Sequence, residues 1–301
     1  MWFRNLQVFR LRPGWDANVV RLDESLQKYP LQPCGSQEME SRGWIPPRDG
    51  DALVRVVGGQ WLMAMGVEAR LLPTAVVKQE TETRVQTLAE KQGYKPGRAT
   101  VKEMREQVLS ELMPRAFIRS RRTWVWVDPV GGWLGIDASS PARAEEVLEC
   151  LRLAIDDFPL LLLRTERSPM SAMADWLAGE APAGFTVDED CELRSTSEEK
   201  ATVRYAHHPL DGNEIKEHLT AGKLPTRLAL TFNDRVSFVL TDKLELKRLD
   251  FLDTVREELG NEDDAEALFD SEFALMTGEL SRLLPALVEV LGGTMKPEAK
   301  T

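Results

Sequence analysis

The chain has no apolar stretch approaching the ~18 to 20 residues that a membrane span needs. Its first residues, MWFRNLQVFRLRPGW, alternate like a strand where a secretory leader would show a charged, an apolar and a cleavage region. No membrane partner is expected, and a cytoplasmic location is. Cysteine is scarce: Cys34, Cys150 and Cys191 form no close pair, so neither a disulfide framework nor a zinc knuckle is indicated, and three buried thiols in a reducing compartment are the expectation. Neither G-x-x-x-x-G-K-[ST] nor G-x-G-x-x-G occurs, and Gly131-Gly132 has no helix after it, which excludes the common phosphate-cradling loops. Ser139-Ser140 lacks the glycines of a nucleophile elbow; an N-cap ahead of Pro141 is the better reading. None of these motifs implies a cofactor.

What is present is an uneven charge. The 301 residues carry a net −11, and 43% of them are apolar, enough for a sizeable core or two domains. Residues 78–122, however, hold eleven basic against six acidic side chains, whereas 123–190 hold four against thirteen and 245–301 six against fourteen. Within Met113–Val127 (MPRAFIRSRRTWVWV), Arg115, Arg119, Arg121 and Arg122 have no acidic residue among them. Such a concentration in an acidic protein points to a surface for a polyanion or an acidic partner.

Periodicity suggests an α+β fold, with hairpin-rich mixed sheets, a projecting helical hairpin and a C-terminal helix. Trp2–Leu11 reads as a strand, Pro13-Gly14 as a turn, and Asp16 as the N-cap of a helix to about Tyr29. Residues 33–52, dense in Gly and Pro, read as an irregular connection. Hairpins are expected at Leu53–Val57/Gln60–Leu72 and Trp124–Val127/Trp133–Ile136, turning at Gly58-Gly59 and at Pro129–Gly132. Two helices broken at 93–97 make the helical hairpin, with the charge-rich second one running toward Trp124. Pro141 opens a further helix, and Phe158–Leu163 reads as a buried strand. In the second half, strand Thr202–Ala206, helix Asp211–Thr220, hairpin Arg227–Leu240, a strand near Leu244–Leu246, an acidic helix from Phe251 and a long amphipathic helix follow. The last carries a stripe of Phe269, Phe273, Leu280, Leu283, Leu284, Leu287 and Leu291, either core or dimer seam. The expected division is a central α+β sheet domain (1–73 and 123–165), a helical tip insertion (74–122) and a C-terminal α+β base domain (166–301).

All three histidines fall in one short segment. Glu214 and His218 share a helix face at i, i+4, while His207 and His208 end the preceding strand. The pattern admits a metal site, but a fourth ligand is missing and adjacent strand residues face opposite ways. A basic or hydrogen-bonding surface with Arg204, Lys216 and Lys223 is expected instead, and no metal. Phe117 lies two residues from both Arg115 and Arg119, so on a helix it cannot share their direction fully; it is either core, an exposed interface anchor or a wedge against nucleic-acid bases.

Five segments together carry a family likeness: WFRNLQVFRL (2–11), PCGSQEMESRGWIPP (33–47), LLPTAVVKQ (71–79), LMPRAFIRS (112–120) and LMTGEL (275–280). On these the chain resembles the bacterial recombination-associated protein family RdgC nearly end to end. The resemblance implies a non-enzymatic protein that forms a ring-shaped homodimer, encircles double-stranded DNA without sequence preference and restrains RecA-driven strand exchange, in the cytoplasm and on the nucleoid. Single-stranded DNA is left open as a second ligand. It also implies two ring-closing interfaces, a tip and a base, with Phe117 at the position of the family's tip aromatic. A ring can line its hole with basic residues and keep acidic ones outside, so the local field governs phosphate contact. The side chains assigned to DNA on this reading are Arg115, Arg119, Arg121, Arg122, Arg204, His207, His208, Lys216 and Lys223. Relatives tend to be more basic at the His207-His208 turn; histidines titrate near pH ~6.5 and carry little charge at pH 7, which makes their share pH-dependent. Two alternatives stand beside it: a metal-dependent enzyme using His207, His208, Glu214 and His218, and an interaction module that meets a protein partner and does not bind DNA.

Overall fold

The computed structural model describes residues 1–196, 201–260 and 264–295. Two sheets and a long helix organise it, and every ladder among the described residues is antiparallel, which corrects the expectation of mixed sheets. The α+β class stands.

The first sheet begins with β1 (Gln7–Leu11), shorter than expected because residues 2–6 leave it for the other sheet. Asn18, not Asp16, caps α1 (Val19–Leu26), its side chain accepting from the Arg21 N–H. Within α1, the Asp23 carboxylate accepts from the N–H groups of Leu53 (2.7 Å) and Val54 (2.8 Å) and fixes the later loop. Residues 33–52 are not wholly irregular: β2 (Glu40–Ile45) lies there, paired along β4 (Gln60–Leu71). Gly43 is required in β2 because a Cβ would lie 2.3 Å from the Leu31 backbone nitrogen. β3 (Arg55–Val57) turns into β4 at Gly58-Gly59 as expected.

α2 (Thr74–Gln92) and α3 (Arg98–Leu112) form the helical hairpin, α2 ending on Gly93 in the left-handed conformation that glycine tolerates best. A single 3₁₀ turn (Met113–Arg115) leads into β5 (Phe117–Asp128), which starts seven residues before the expected strand. β4 and β5 pair over eleven positions, from Trp61↔Val127 to Leu71↔Phe117. At ~3.4 Å per residue this is a ribbon of roughly 35 Å. β6 (Trp133–Ile136) covers β5 only from Val125 to Asp128, so the outer half of β5 is an open edge. The Ser140 side chain caps α4 (Pro141–Ala154) as expected. β7 (Leu160–Leu162) is an edge strand with Leu162 66% exposed, a correction to the expected buried strand, since only β1 pairs with it.

α5 (Pro169–Ala178) and β8 (Phe185–Ser195) had no counterpart in the sequence reading. β9 (Thr202–Tyr205), α6 (Asn213–Thr220), β10 (Lys223–Phe232) and β11 (Val236–Thr241) follow the expected order. β12 (Leu246–Phe251) then runs through Phe251, leaving α7 (Asp253–Arg256) a single turn rather than an acidic helix. The second sheet has the order β12-β11-β10-β8-β9. Leu6 bridges Leu246, and the Leu249 N–H donates to the Arg4 carbonyl at 2.8 Å, so residues 4–6 line the β12 edge.

α8 (Ala265–Val290) lies between the sheets. Phe273, Leu280, Leu283, Leu284, Leu287 and Leu291 are buried with Leu62 and Trp126 of the first sheet and Leu228, Leu230 and Phe238 of the second. The stripe is therefore core and not a dimer seam. Each such buried leucine contributes about 1.5–3 kcal/mol. Polar groups tie α8 at both sides, Arg55 to Asp270 and Glu266, and Arg235 to buried Glu279, which also pairs with Arg282 one turn along the same helix. A separate core under the other face of the first sheet packs Met63, Met65, Val125 and Ile136 against α1 and α4.

Candidate functional site

The ribbon end is built around Arg70 on β4. Its guanidinium donates to the carbonyls of Gly35 (3.0 Å), Cys34 (3.1 Å), Met113 (3.2 Å), Pro114 (3.4 Å) and Ala116 (3.4 Å). One side chain thus fastens the loop before β2 and the turn after α3 to the strand. Arg84 of α2, held by Glu80 and by Glu111 of α3, ties the two helices together. At the far end of the ribbon, Phe117 is 84% exposed and therefore not core.

The four arginines of this region do not form one surface. Strand alternation puts Arg119 and Arg121 on the side of Phe117 and turns Arg122 to the other. Because this is a strand and not a helix, Phe117 does share the direction of Arg119 and Arg121, a correction to the expectation above. Arg121 is paired with Glu146 of α4, and Arg122 lies over the Trp124 ring at 4.9 Å. Arg119 stands exposed on the strand and Arg115 in the turn before it. The apparent lack of acidic partners in the sequence held only locally: Glu146 comes from a helix 25 residues later.

The second group of predicted residues sits on the second sheet and α6, and it also divides. His207 has φ +51°, and its N–H donates to Asp190 Oδ1 at 3.0 Å. That carboxyl is held below its usual range, chiefly by the His207 N–H, with Arg248 adding to it. His208 turns away: its Nδ1 is 2.7 Å from the Pro209 carbonyl, its Nε2 3.8 Å from Glu214, and its ring 5.2 Å from that of Tyr205. His218 Nδ1 contacts Lys223 Nζ at 2.8 Å, so an ammonium already occupies that lone pair. Lys216 is exposed on α6. Among the described residues, no group of three or more His, Cys, Asp or Glu could hold a metal ion.

Sequence reasoning missed Arg227, Lys247 and Arg248, which line one depression with Arg204 on the solvent face of the second sheet. Cross-strand pairing brings them together, with Glu192 opposite both Arg204 and Arg227. The only advance signal was an arginine opening the Arg227–Leu240 hairpin.

A family model described as "Putative exonuclease, RdgC" matches residues 1–294. The chain belongs to the RdgC family. It is 55% identical over 298 residues to the recombination-associated protein RdgC of Dechloromonas aromatica, covering 97% of this chain and 98% of that one. The recombination-associated proteins RdgC of Cupriavidus necator and Janthinobacterium sp. are 50% and 47% identical, each over 98% of this chain and over 100% and 99% of their own lengths. This is a recombination-associated family, as the resemblance indicated. No helix among the described residues is long and apolar enough to cross a membrane.

Proposed function

We propose that the protein binds double-stranded DNA without sequence preference, as a ring-shaped homodimer, and restrains RecA-driven strand exchange without chemistry of its own. The observation that carries this reading is the exposure of arginines along strands, Arg119 at the ribbon end with Arg115 in the turn before it, and Arg204 and Arg227 on the second sheet. Side chains spread over sheet surfaces suit the phosphate backbone, whereas base reading calls for a few groups converging in a groove. Family membership with recombination-associated relatives supports the biological setting, on the nucleoid.

Ring closure follows from Phe117. An aromatic exposed at the end of a ribbon, flanked by strand arginines, is suited to anchor a second copy. The base contact must come from a surface other than α8, whose stripe is internal.

Two unrelated duplexes of equal length, titrated across a salt series, test the DNA reading. Affinity should fall by roughly 10³-fold or more between 50 and 200 mM salt if six or more phosphates are neutralised. A preference beyond roughly tenfold between duplexes, or a flat salt response, contradicts it. Phe117→Ala should leave the fold intact and open one contact, seen as faster dissociation from circular duplex and a weakened block to RecA strand exchange. Unchanged off-rates would remove Phe117 from the ring.

A further inference from the structure

The second sheet turns its apolar side to α8 and leaves the other face to solvent, and on that face a basic depression forms from residues of all five strands. Arg204 of β9 and Arg227 of β10 flank β8, each directly opposite Glu192. Strands two apart are ~9.5 Å apart, within reach of two long side chains converging on one group between them. Glu192 does not neutralise them: its carboxylate accepts from Thr226 Oγ1 at 2.7 Å and from Arg194 at 3.1 Å. Lys247 and Arg248 on β12 supply two further cations, each already engaged. Lys247 Nζ lies 3.2 Å from Glu245 and 2.8 Å from the Ser139 carbonyl, and Arg248 lies 3.0 Å from Asp190. The excess charge therefore rests on Arg204 and Arg227.

Val239 supplies the outward apolar wall, while Cys191 and Tyr205, paired across β8 and β9, turn to the core side beneath the depression. Apolar surface beside a charge lowers the local dielectric and strengthens its attraction for an anion. Burial pushes the Cys191 thiol up to about 12, so it stays protonated and is no nucleophile. The depression is made to hold an anion, not to react with it.

We propose that Arg204 and Arg227 clasp a backbone phosphodiester of nucleic acid in this depression, and that this face, more than the arginine-rich ribbon, sets the affinity for DNA. The inference rests on the DNA-binding reading above. Guanidiniums suit it because their planar fork matches phosphate oxygens.

The test compares Arg204→Gln/Arg227→Gln with Arg119→Gln/Arg122→Gln in the full-length protein, by anisotropy of a labelled duplex across a salt series. Losing the one phosphate that the two arginines clasp should flatten the log–log salt slope by about 0.9 and weaken binding at least tenfold at low salt. The ribbon pair should do less. Should the glutamine pair unfold, Arg204→Lys/Arg227→Lys keeps both charges; it should hold the wild-type slope with a several-fold loss of affinity from the missing fork. A wild-type slope and affinity in the glutamine pair, with wild-type protein binding duplex normally, overturns this inference and leaves the DNA reading standing. No duplex binding by wild-type protein at low salt overturns both. Stabilisation by inorganic phosphate or ATP that depends on the two arginines, without duplex binding, would assign the site to free phosphate compounds and equally overturn the backbone assignment.

Discussion

The ribbon end and the open face of the second sheet are both basic, and they were assembled in opposite ways. In the ribbon, arginines adjacent in sequence are dispersed: Arg119 and Arg121 face one way, Arg122 the other, and Glu146 takes up Arg121. On the second sheet, basic residues scattered over 45 positions from Arg204 to Arg248 line a single depression. A run of like charges in a strand describes two surfaces, not one, because alternation halves it. The run also has a structural use. The outer part of β5 lacks a partner on one side, and arginines there discourage edge-to-edge pairing.

Four substitutions sharpen or break this contrast. The largest effect is expected from Trp126→Ala at the root of the ribbon. Trp126 is fully buried, donates to Gln60 Oε1 at 2.8 Å, and belongs to the core shared with α8 and the second sheet. The cost should be about 3–5 kcal/mol in urea denaturation, with both sheets losing structure together; a second sheet that stays folded would show that the two regions are energetically separate. Next comes Arg70→Ala, which takes one donor from each of five carbonyls at the ribbon end, those of Gly35 and Met113 keeping a backbone N–H. About 1.5–3 kcal/mol of local stability should be lost, read as faster amide exchange at 113–118 with β8–β12 unchanged. Faster exchange in both regions would contradict a local role.

Asp190→Asn probes the other side. It removes an anion beside the basic depression, so duplex affinity should rise about twofold at low salt and the gain should fade as salt increases. The Asp190 carboxyl has a folded-state pKa below its unfolded value, so its contribution to stability is complete above that value and is lost as pH falls through the depressed one. Acid titration of wild-type protein should therefore loosen the His207 turn below about pH 4, and the substitution should remove that transition. The smallest effect is expected from Arg121→Gln. Its pair with Glu146 is partly exposed on both sides, so stability should change by about 0.5 kcal/mol and duplex affinity by less than twofold; a larger loss of affinity would return Arg121 to the DNA-binding set.

Elements delimited by local chemistry were legible in the sequence. Gly58-Gly59, Pro129–Gly132 and Ser140-Pro141 each carry their own turn or cap, and the hairpins and helix they bound are where they were expected. Elements defined by distant neighbours were not. β2 was hidden by Gly43, a residue that reads as a loop former until the Leu31 backbone is seen against it. β8 was hidden by Asp188, Glu189, Asp190 and Glu192, which look like a solvated loop but interleave with Val187, Cys191 and Leu193 on an inner face. The outer half of β5 carries arginines where a strand usually shows apolar alternation, and so it was read as the end of a charged helix. The basic depression depends on the register of β8 with β9 and β10, and no local pattern reports a pairing between residues tens of positions apart.

The strip formed by residues 3–6 has a consequence for how the chain is made. Arg4 and Leu6 line the edge of β12, and the Phe3 N–H meets the sulfur of Met276 on α8, a partner 273 positions away. At translation rates of ~5–20 residues per second, roughly 12–50 s separate synthesis of this strip from that of its partner strand. Throughout that interval Phe3 and Leu6, both buried in the finished protein, have nowhere to go. The first sheet can close behind the ribosome while its leading residues stay free, and docking of the strip is among the last events, which makes it a seal on a completed chain and a segment that a truncated product would leave exposed.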